Sequence, residues 1–380
     1  MCRLDSQAHA RAVVMLVICK SRMRKLAAQS CTLTLLLSVA LGVQAQSRFT
    51  DATDLVPTDS AAANYFLNSP DATKYAVILT GPAVSDENKS MFRQWAFSLH
   101  DILARDYGYS SETITLLYAD GALDAPGSER IDGSCDRAGI EQQFSALRAR
   151  AKAGDQITIF LVGHGSGAEA EAKFNIVGPD ITGAEFSTIL DQFAQQDIVI
   201  VNTTSASYDF SASLSSEGRV VISSTRSASE RYDPVFSRFF IEALDSRNGD
   251  RDKNNRVSML EAFNYAKGNV EQWYEEQGRL ASEHAGLDDN GDALFTLSPT
   301  MDEADGRLAE IAYIDTLVDN SQDLSPGALQ LKSRMQELER SVFILRGSKA
   351  NYLAADYMQQ LEQLLIELAR TTGQFNAQIQ

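Results

Sequence analysis

His164 closes the run Val162-Gly163-His164-Gly165-Ser166-Gly167, at the end of an apolar stretch that starts at Gln156. An imidazole titrates near neutrality, so a histidine on a strand-end loop is placed to take up or return a proton. Its glycine neighbours let backbone approach a ligand, and the N–H of Gly165 could meet a developing oxyanion. Ser205, in Asn202-Thr-Thr-Ser205-Ala-Ser207, ends the next apolar run and places a hydroxyl at the same edge. Arg226, Glu230 and Arg231 follow a third run, Val220 to Ser223. They could line a pocket beside these groups, or equally be ordinary surface charge.

A second chemistry is spelled by the stretch 250–261. Asp250, Asp252, Asn254, Ser258 and Glu261 fall at positions one, three, five, nine and twelve of an EF-hand-type loop, and Arg256 falls at position seven. Alternating oxygens of this kind wrap a hard cation, and the final carboxylate closes the site bidentately, so calcium is the expected ion. Val257 supplies the apolar residue in the eighth place, and Asn255 stands where glycine is usual. Asparagine is the next-best residue for a left-handed backbone. A second acidic turn, Asp288-Asp289-Asn290-Gly291-Asp292, repeats the first half of the pattern without a closing glutamate. It reads as a weaker cation site or a capped turn.

The elements that must hold these groups are short apolar runs alternating with helical stripes. Lys74 to Gly81, Thr113 to Tyr118 and the three runs above predict at least five strands. Helical spacing is seen in Phe92, Trp95, Phe97, Leu99 and Leu103, and again across 140–153 and 233–244. Such alternation demands right-handed crossovers and a mostly parallel sheet, with ligands gathering at the carboxyl ends of its strands. Beyond residue 300, Leu329 to Leu345 and Ala354 to Leu368 place Leu, Met and Ile at three-to-four spacing between many charges. The expectation is a C-terminal helical hairpin over 301–380, a cover for the sheet domain or an arm for self-association.

Composition narrows the function. The net charge is −17, which argues against nucleic acid and anionic membrane as partners. Basic residues from Met23, an apolar stretch from Leu33 to Val43, and Val43-Gln-Ala45 read as a secretory signal peptide cut after Ala45. Met1 and Met23 are alternative starts. Residues 1–45 are thus leader and signal, 46–73 a linker, and 74–300 the α/β domain. The protein is expected to be secreted or periplasmic, with no stable membrane insertion after cleavage. Cleavage leaves Cys135 as the lone thiol, so no internal disulfide supports the fold.

The runs ending at His164, Ser205 and Arg226 together resemble the legumain family of cysteine peptidases, over roughly Lys74 to Asp292. In that family an apolar strand ends in His-Gly-Ser, the next carries the nucleophile, and a third precedes a substrate-pocket loop. The resemblance implies a caspase-like sheet, a peptide or protein substrate, His164 as catalytic base and Gly165 as an oxyanion donor. It places Ser205 at the nucleophile position, where the family has cysteine, and Ser207 two places on. The pocket residues do not match clearly, so no side-chain preference is carried over.

Serine needs stronger activation than a thiol, which is partly ionised near neutral pH. Three readings follow for the domain. Ser205 is a spent nucleophile and the cleft binds peptide without cutting, or Ser205 and His164 form a working dyad, or Cys135 replaces Ser205 from another loop. Asp132 and Asp136 beside Cys135 oppose the last of these by disfavouring a thiolate. A calcium-stabilised scaffold acting through the C-terminal helices is a further reading.

Overall fold

A computed structural model describes residues 64–69, 72–122, 126–316 and 324–379. The leader and signal peptide (1–45) lie outside the described residues, as do 46–63, 70 and 71 of the linker. In chain order the strands and longer helices are β1 (Lys74–Thr80), α1 (Asp86–Tyr107), β2 (Ile114–Tyr118), α2 (Arg137–Arg150) and β3 (Gln156–Val162). Next come β4 (Gly165–Ser166), β5 (Lys173–Phe174), β6 (Ile181–Thr182), α3 (Gly183–Leu190), β7 (Asp197–Asn202), α4 (Tyr208–Ala212) and β8 (Arg219–Ser223). The chain continues with α5 (Phe236–Leu244), α6 (Met259–Glu276), β9 (Gly286–Asp288), α7 (Arg307–Ile311), α8 (Pro326–Gly347) and α9 (Ala354–Ile379).

Six strands form one sheet in the order β2-β1-β3-β7-β8-β9. All neighbours run parallel except β9, which pairs antiparallel with β8. β4, β5 and β6 make a small antiparallel sheet at the exit of β3.

The five parallel strands are buried on both faces, and their two-residue alternation divides the core in two. Ile78, Phe160, Val162, Val199, Val201 and Ile222 face one way, against Phe92, Leu99 and Leu103 of α1, Phe236 and Phe240 of α5 and Phe263 of α6. Val77, Leu79, Ile157, Ile159, Leu161 and Ile200 face the other, against Phe144 of α2 and Phe186 of α3. Each such side chain contributes about 1.5–3 kcal/mol by leaving water. Phe66, in the linker, is buried in the first of these clusters, and its N–H donates to Asp197 Oδ2 at 2.8 Å. Leu308, Ile311, Ile314 and Phe343 join that cluster too, so α7 and α8 share the core of the sheet.

α8 and α9 pack side by side. Ser325 Oγ reaches Gln378 at 3.2 Å, and Arg334 pairs with Glu367 at 2.7 Å, which sets the two helices in opposite directions. Among the described residues, no helix is long and apolar enough to cross a membrane.

Sequence spacing starts a helix at Asp233, but α5 begins at Phe236. The cause lies in a distant carboxylate. Glu283 accepts from the N–H groups of Val235 at 2.9 Å and Phe236 at 3.0 Å, satisfying the helix start that a local cap would serve. Asp233 is thereby left outside the helix.

Burial pushes the Asp197 carboxyl up to about 7, against the N–H of Phe66 and the charges of Lys74 and Arg340, which pull it down. The folded chain therefore holds this proton in a pH range where the unfolded chain, with a carboxyl near 4, has lost it. Stability falls as pH rises from about 4 to about 7, so urea midpoints at pH 5 and pH 8 should differ in that direction. Asp197→Asn should shrink the difference, and an unchanged slope would remove Asp197 as its source.

Candidate functional site

β3 and β7 are adjacent and parallel, with Leu161 opposite Asn202, so the loops leaving them open at the same edge. His164 leaves β3 and Ser205 leaves β7. Gly163 carries φ +136°, a conformation for which glycine is suited, and turns His164 out of the strand. Gly165 has no room for a side chain, because a Cβ there would lie 2.3 Å from the carbonyl oxygen of Ser205. The two loops touch through backbone. The N–H of Gly165 points to Ser205 Oγ at 3.4 Å.

Ser205 sits on a turn pinned from below. Ser207 is fully buried, with Oγ at 2.9 Å from Ser223 Oγ and 3.0 Å from Thr225 Oγ1. Its N–H donates to Thr225 Oγ1 at 2.8 Å, and Ser224 Oγ donates to the carbonyl of Thr204 at 2.8 Å. Ser207 is thus part of the turn's foundation. Ala206 takes φ +49°, and its N–H donates to the carbonyl of Glu230 at 2.8 Å. A non-glycine residue held there costs about 1–2 kcal/mol, strain stored directly after Ser205.

His164 has a partner that spacing did not disclose. Its Nδ1 lies 3.1 Å from Asp233 Oδ1, and Asn88 Nδ2 donates to Asp233 Oδ2 at 2.6 Å. The hydrogen bond with His164 holds the Asp233 carboxyl below the usual carboxylate range, and Asn88 adds to this while burial opposes it. Phe92 packs against the imidazole with the two rings steeply tilted and their centroids 5.0 Å apart. Nε2 is buried and has no hydrogen-bond partner among the described residues. Ser205, 3% exposed, donates its hydroxyl proton to no acceptor among the described residues. An acid, an oriented imidazole, a hydroxyl and a backbone donor are thus gathered at two neighbouring strand ends.

The other sequence candidates separate. Glu230 is buried, and its carboxylate accepts from the N–H groups of Arg226 and His284, each at 3.0 Å. His284 Nδ1 lies 2.6 Å from the same group. Glu230 therefore braces the loop after β8, while the Arg226 side chain is half exposed, 3.3 Å from that carboxylate. Cys135 is wholly buried, and burial pushes its thiol far above the ordinary range, the reverse of an activated nucleophile.

The 250–261 loop forms a second centre, beside α6. Carboxylate oxygens of Asp250, Asp252 and Glu261 lie within 4.8 Å of one another. Asn255 adopts φ +63°, the left-handed backbone expected at that place. Asp250 accepts from the N–H groups of Asn254 at 3.2 Å and Asn255 at 3.0 Å, and Asn254 Oδ1 accepts from the N–H of Arg256 at 2.8 Å. Ser258 and Glu261 form the capping box of α6. Val257 is buried, and its carbonyl accepts from the N–H of Ile314 at 3.2 Å. Burial first, and the Glu261 charge second, push the Asp252 carboxyl up to about 7. The Arg256 guanidinium turns away to Asp315 and Glu339, each at 3.0 Å, and stacks 3.5 Å above the Tyr313 ring. Its backbone carbonyl is the group left for an ion.

The 288–292 turn is capped by its own backbone. Asp288 accepts from the N–H groups of Asn290, Gly291 and Ala293 at 2.8–3.2 Å, and Asp289 from Gly306 and Ala309 at 3.1 and 2.8 Å.

No protein-family model matches the chain, and no curated protein matches it either.

Proposed function

We propose that this chain is an exported, calcium-binding peptide hydrolase of legumain-like build, working with serine in place of cysteine. The sheet is then of caspase-like type, and α8 and α9 form a C-terminal hairpin. One observation carries the reading. Asp233 holds His164 through Nδ1 and leaves a buried Nε2 without a partner, one residue from the N–H that meets Ser205 Oγ. A thiol needs little of this support, whereas a hydroxyl needs an oriented base with an anion behind it.

In the reaction, Ser205 Oγ attacks the scissile carbonyl carbon and its proton passes to His164 Nε2. Asp233 stabilises the imidazolium. Negative charge on the carbonyl oxygen is met by backbone N–H groups at Gly165 and Ser205. The C–N bond breaks as the imidazolium protonates the leaving amine, and water, activated by the same imidazole, then hydrolyses the acyl ester. The hydroxyl must first rotate from Gly165 towards Nε2, since catalytic hydrogen bonds commonly tighten only when substrate is bound.

A second reading, a peptide-binding module without turnover, is favoured by the absent Ser205–His164 hydrogen bond and the burial of Ser205. A mixed peptide library with calcium present separates the two, using wild type, Ser205→Ala and Ser205→Cys. Cleavage by wild type that vanishes in the alanine form supports the serine hydrolase. Cleavage by the cysteine form alone supports the binding module, and loss of cleavage in neither variant overturns both roles for Ser205.

A further inference from the structure

We propose that the cavity between the 250–261 loop and helices α8 and α9 is a binding site for a small organic monocarboxylate with an apolar tail. The void measures about 210 Å³ and is lined by Arg256 from the loop, by Asp315, Lys332, Gln336 and Glu339 among its other charged or polar groups, and by Met335 and Phe375 as an apolar wall. It shares none of the residues of the Ser205 site, so the proposal does not rest on peptide hydrolysis.

The donors are what mark it. Arg256 is 5% exposed and spends Nε on Asp315 and Nη1 on Glu339, while Nη2 is buried without a partner among the described residues. Gln336 Nε2 is likewise buried with no partner among the described residues. Lys332 makes no hydrogen bond or close ion pair among the described residues, and Asp315 is the opposite charge that acts on it. Folding ordinarily pairs buried donors, because a desolvated N–H with no acceptor costs more than a bond gains. Arg256, Gln336 and Lys332 all line this cavity, and spare donors of this kind suit an acceptor such as a carboxylate.

Charge and size then define the ligand. Arg256 and Lys332 balance Asp315 and Glu339, so the lining holds no surplus positive charge; the spare donors suit a single carboxylate, and a dianion such as phosphate is disfavoured. Met335 and Phe375 are buried against each other in a cluster of their own and present no polar atom except sulfur. A dry cavity of about 150 Å³ takes benzene, so this one has room for a benzoate or a short fatty acid. A second void of about 20 Å³ also touches Arg256 and Gln336, and a single water there could serve both. It does not reach Lys332, Met335 or Phe375, so water in it leaves the ammonium and the apolar wall unexplained.

Calorimetric titration of the full chain with benzoate, hexanoate, benzyl alcohol and inorganic phosphate tests the site. Saturable binding of benzoate and hexanoate is expected, with benzyl alcohol and phosphate at least tenfold weaker. Lys332→Met should weaken benzoate about tenfold or more, and Gln336→Leu severalfold, with the thermal midpoint of each free variant near that of wild type. Should one variant fail to fold, the other carries the comparison. No saturable carboxylate binding, a neutral analogue that binds equally well, or affinity unchanged in the folded variants would overturn the proposal.

Discussion

Asp233→Asn should lower kcat on a cleaved peptide by about three to four orders of magnitude and leave KM within a few-fold of wild type. The amide fills the same space and keeps an acceptor for Asn88, whose Nδ2 donates to Oδ2 at 2.6 Å. What it loses is the anion 3.1 Å from His164 Nδ1. The imidazolium formed during attack then has no counter-charge, and an amide N–H can face Nδ1 and favour the tautomer that protonates Nε2. A base protonated at Nε2 cannot accept from Ser205. Asn88→Ala should act in the same direction but more weakly, because it releases the carboxylate without removing its charge. The decisive comparison is the double variant Ser205→Ala with Asp233→Asn. If nucleophile, base and acid work as a unit, it should be no slower than Ser205→Ala alone. Multiplying losses, or an Asp233→Asn protein as fast as wild type, would reduce Asp233 to a structural partner of His164.

The sheet was legible in the sequence because buried parallel strands announce themselves as short apolar runs, and their alternation with helical stripes dictates the crossovers. His164 and Ser205 follow from the same logic, each standing where such a run stops. Asp233 was not legible. It precedes a proline at what spacing makes a helix start, and only Glu283, brought from 47 residues away to the N–H of Phe236, moves that start forward and frees Asp233. Glu283 itself carries no local signal. Its carboxyl is pushed up to about 7 by burial, and nothing in Ser282-Glu283-His284 foretells a buried acid. β9 escaped notice because three residues are too few to show a period. The 250–261 loop lies at the other extreme, since its candidate ligands, its left-handed turn and its helix cap are all set within twelve consecutive residues. The cavity beside it depends on α8, and Asn254 meets Glu339 across 85 residues of chain.

Chelating calcium should lower the thermal midpoint by roughly 5–10 °C. An ion held at a hundred to a thousand times its Kd adds about 3–4 kcal/mol, and each kcal/mol moves a domain of this size by about 2–4 °C or less. The loop has reason to respond. Asp250, Asp252 and Glu261 bring carboxylate oxygens within 4.8 Å of one another, with Asp250 and Glu261 buried. Like charges so placed repel unless a cation sits among them. Asp252→Asn therefore separates calcium binding from ordinary turn structure, because its two effects have opposite signs. In chelator at pH 7.5 the variant should melt at or above wild type, since one repelling charge is gone and an amide oxygen still accepts from the N–H of Asn254, now at 3.0 Å. In excess calcium it should melt below wild type, having lost a charged ligand. The change should reach the whole fold, because Glu339 of α8 accepts from Asn254 at 3.1 Å and from Arg256 at 3.0 Å, and α8 shares the core of the sheet through Phe343. A wild-type midpoint indifferent to calcium would leave the loop as a capped turn. A variant that melts lower in both conditions would assign Asp252 to the turn's own hydrogen bonds instead of to an ion.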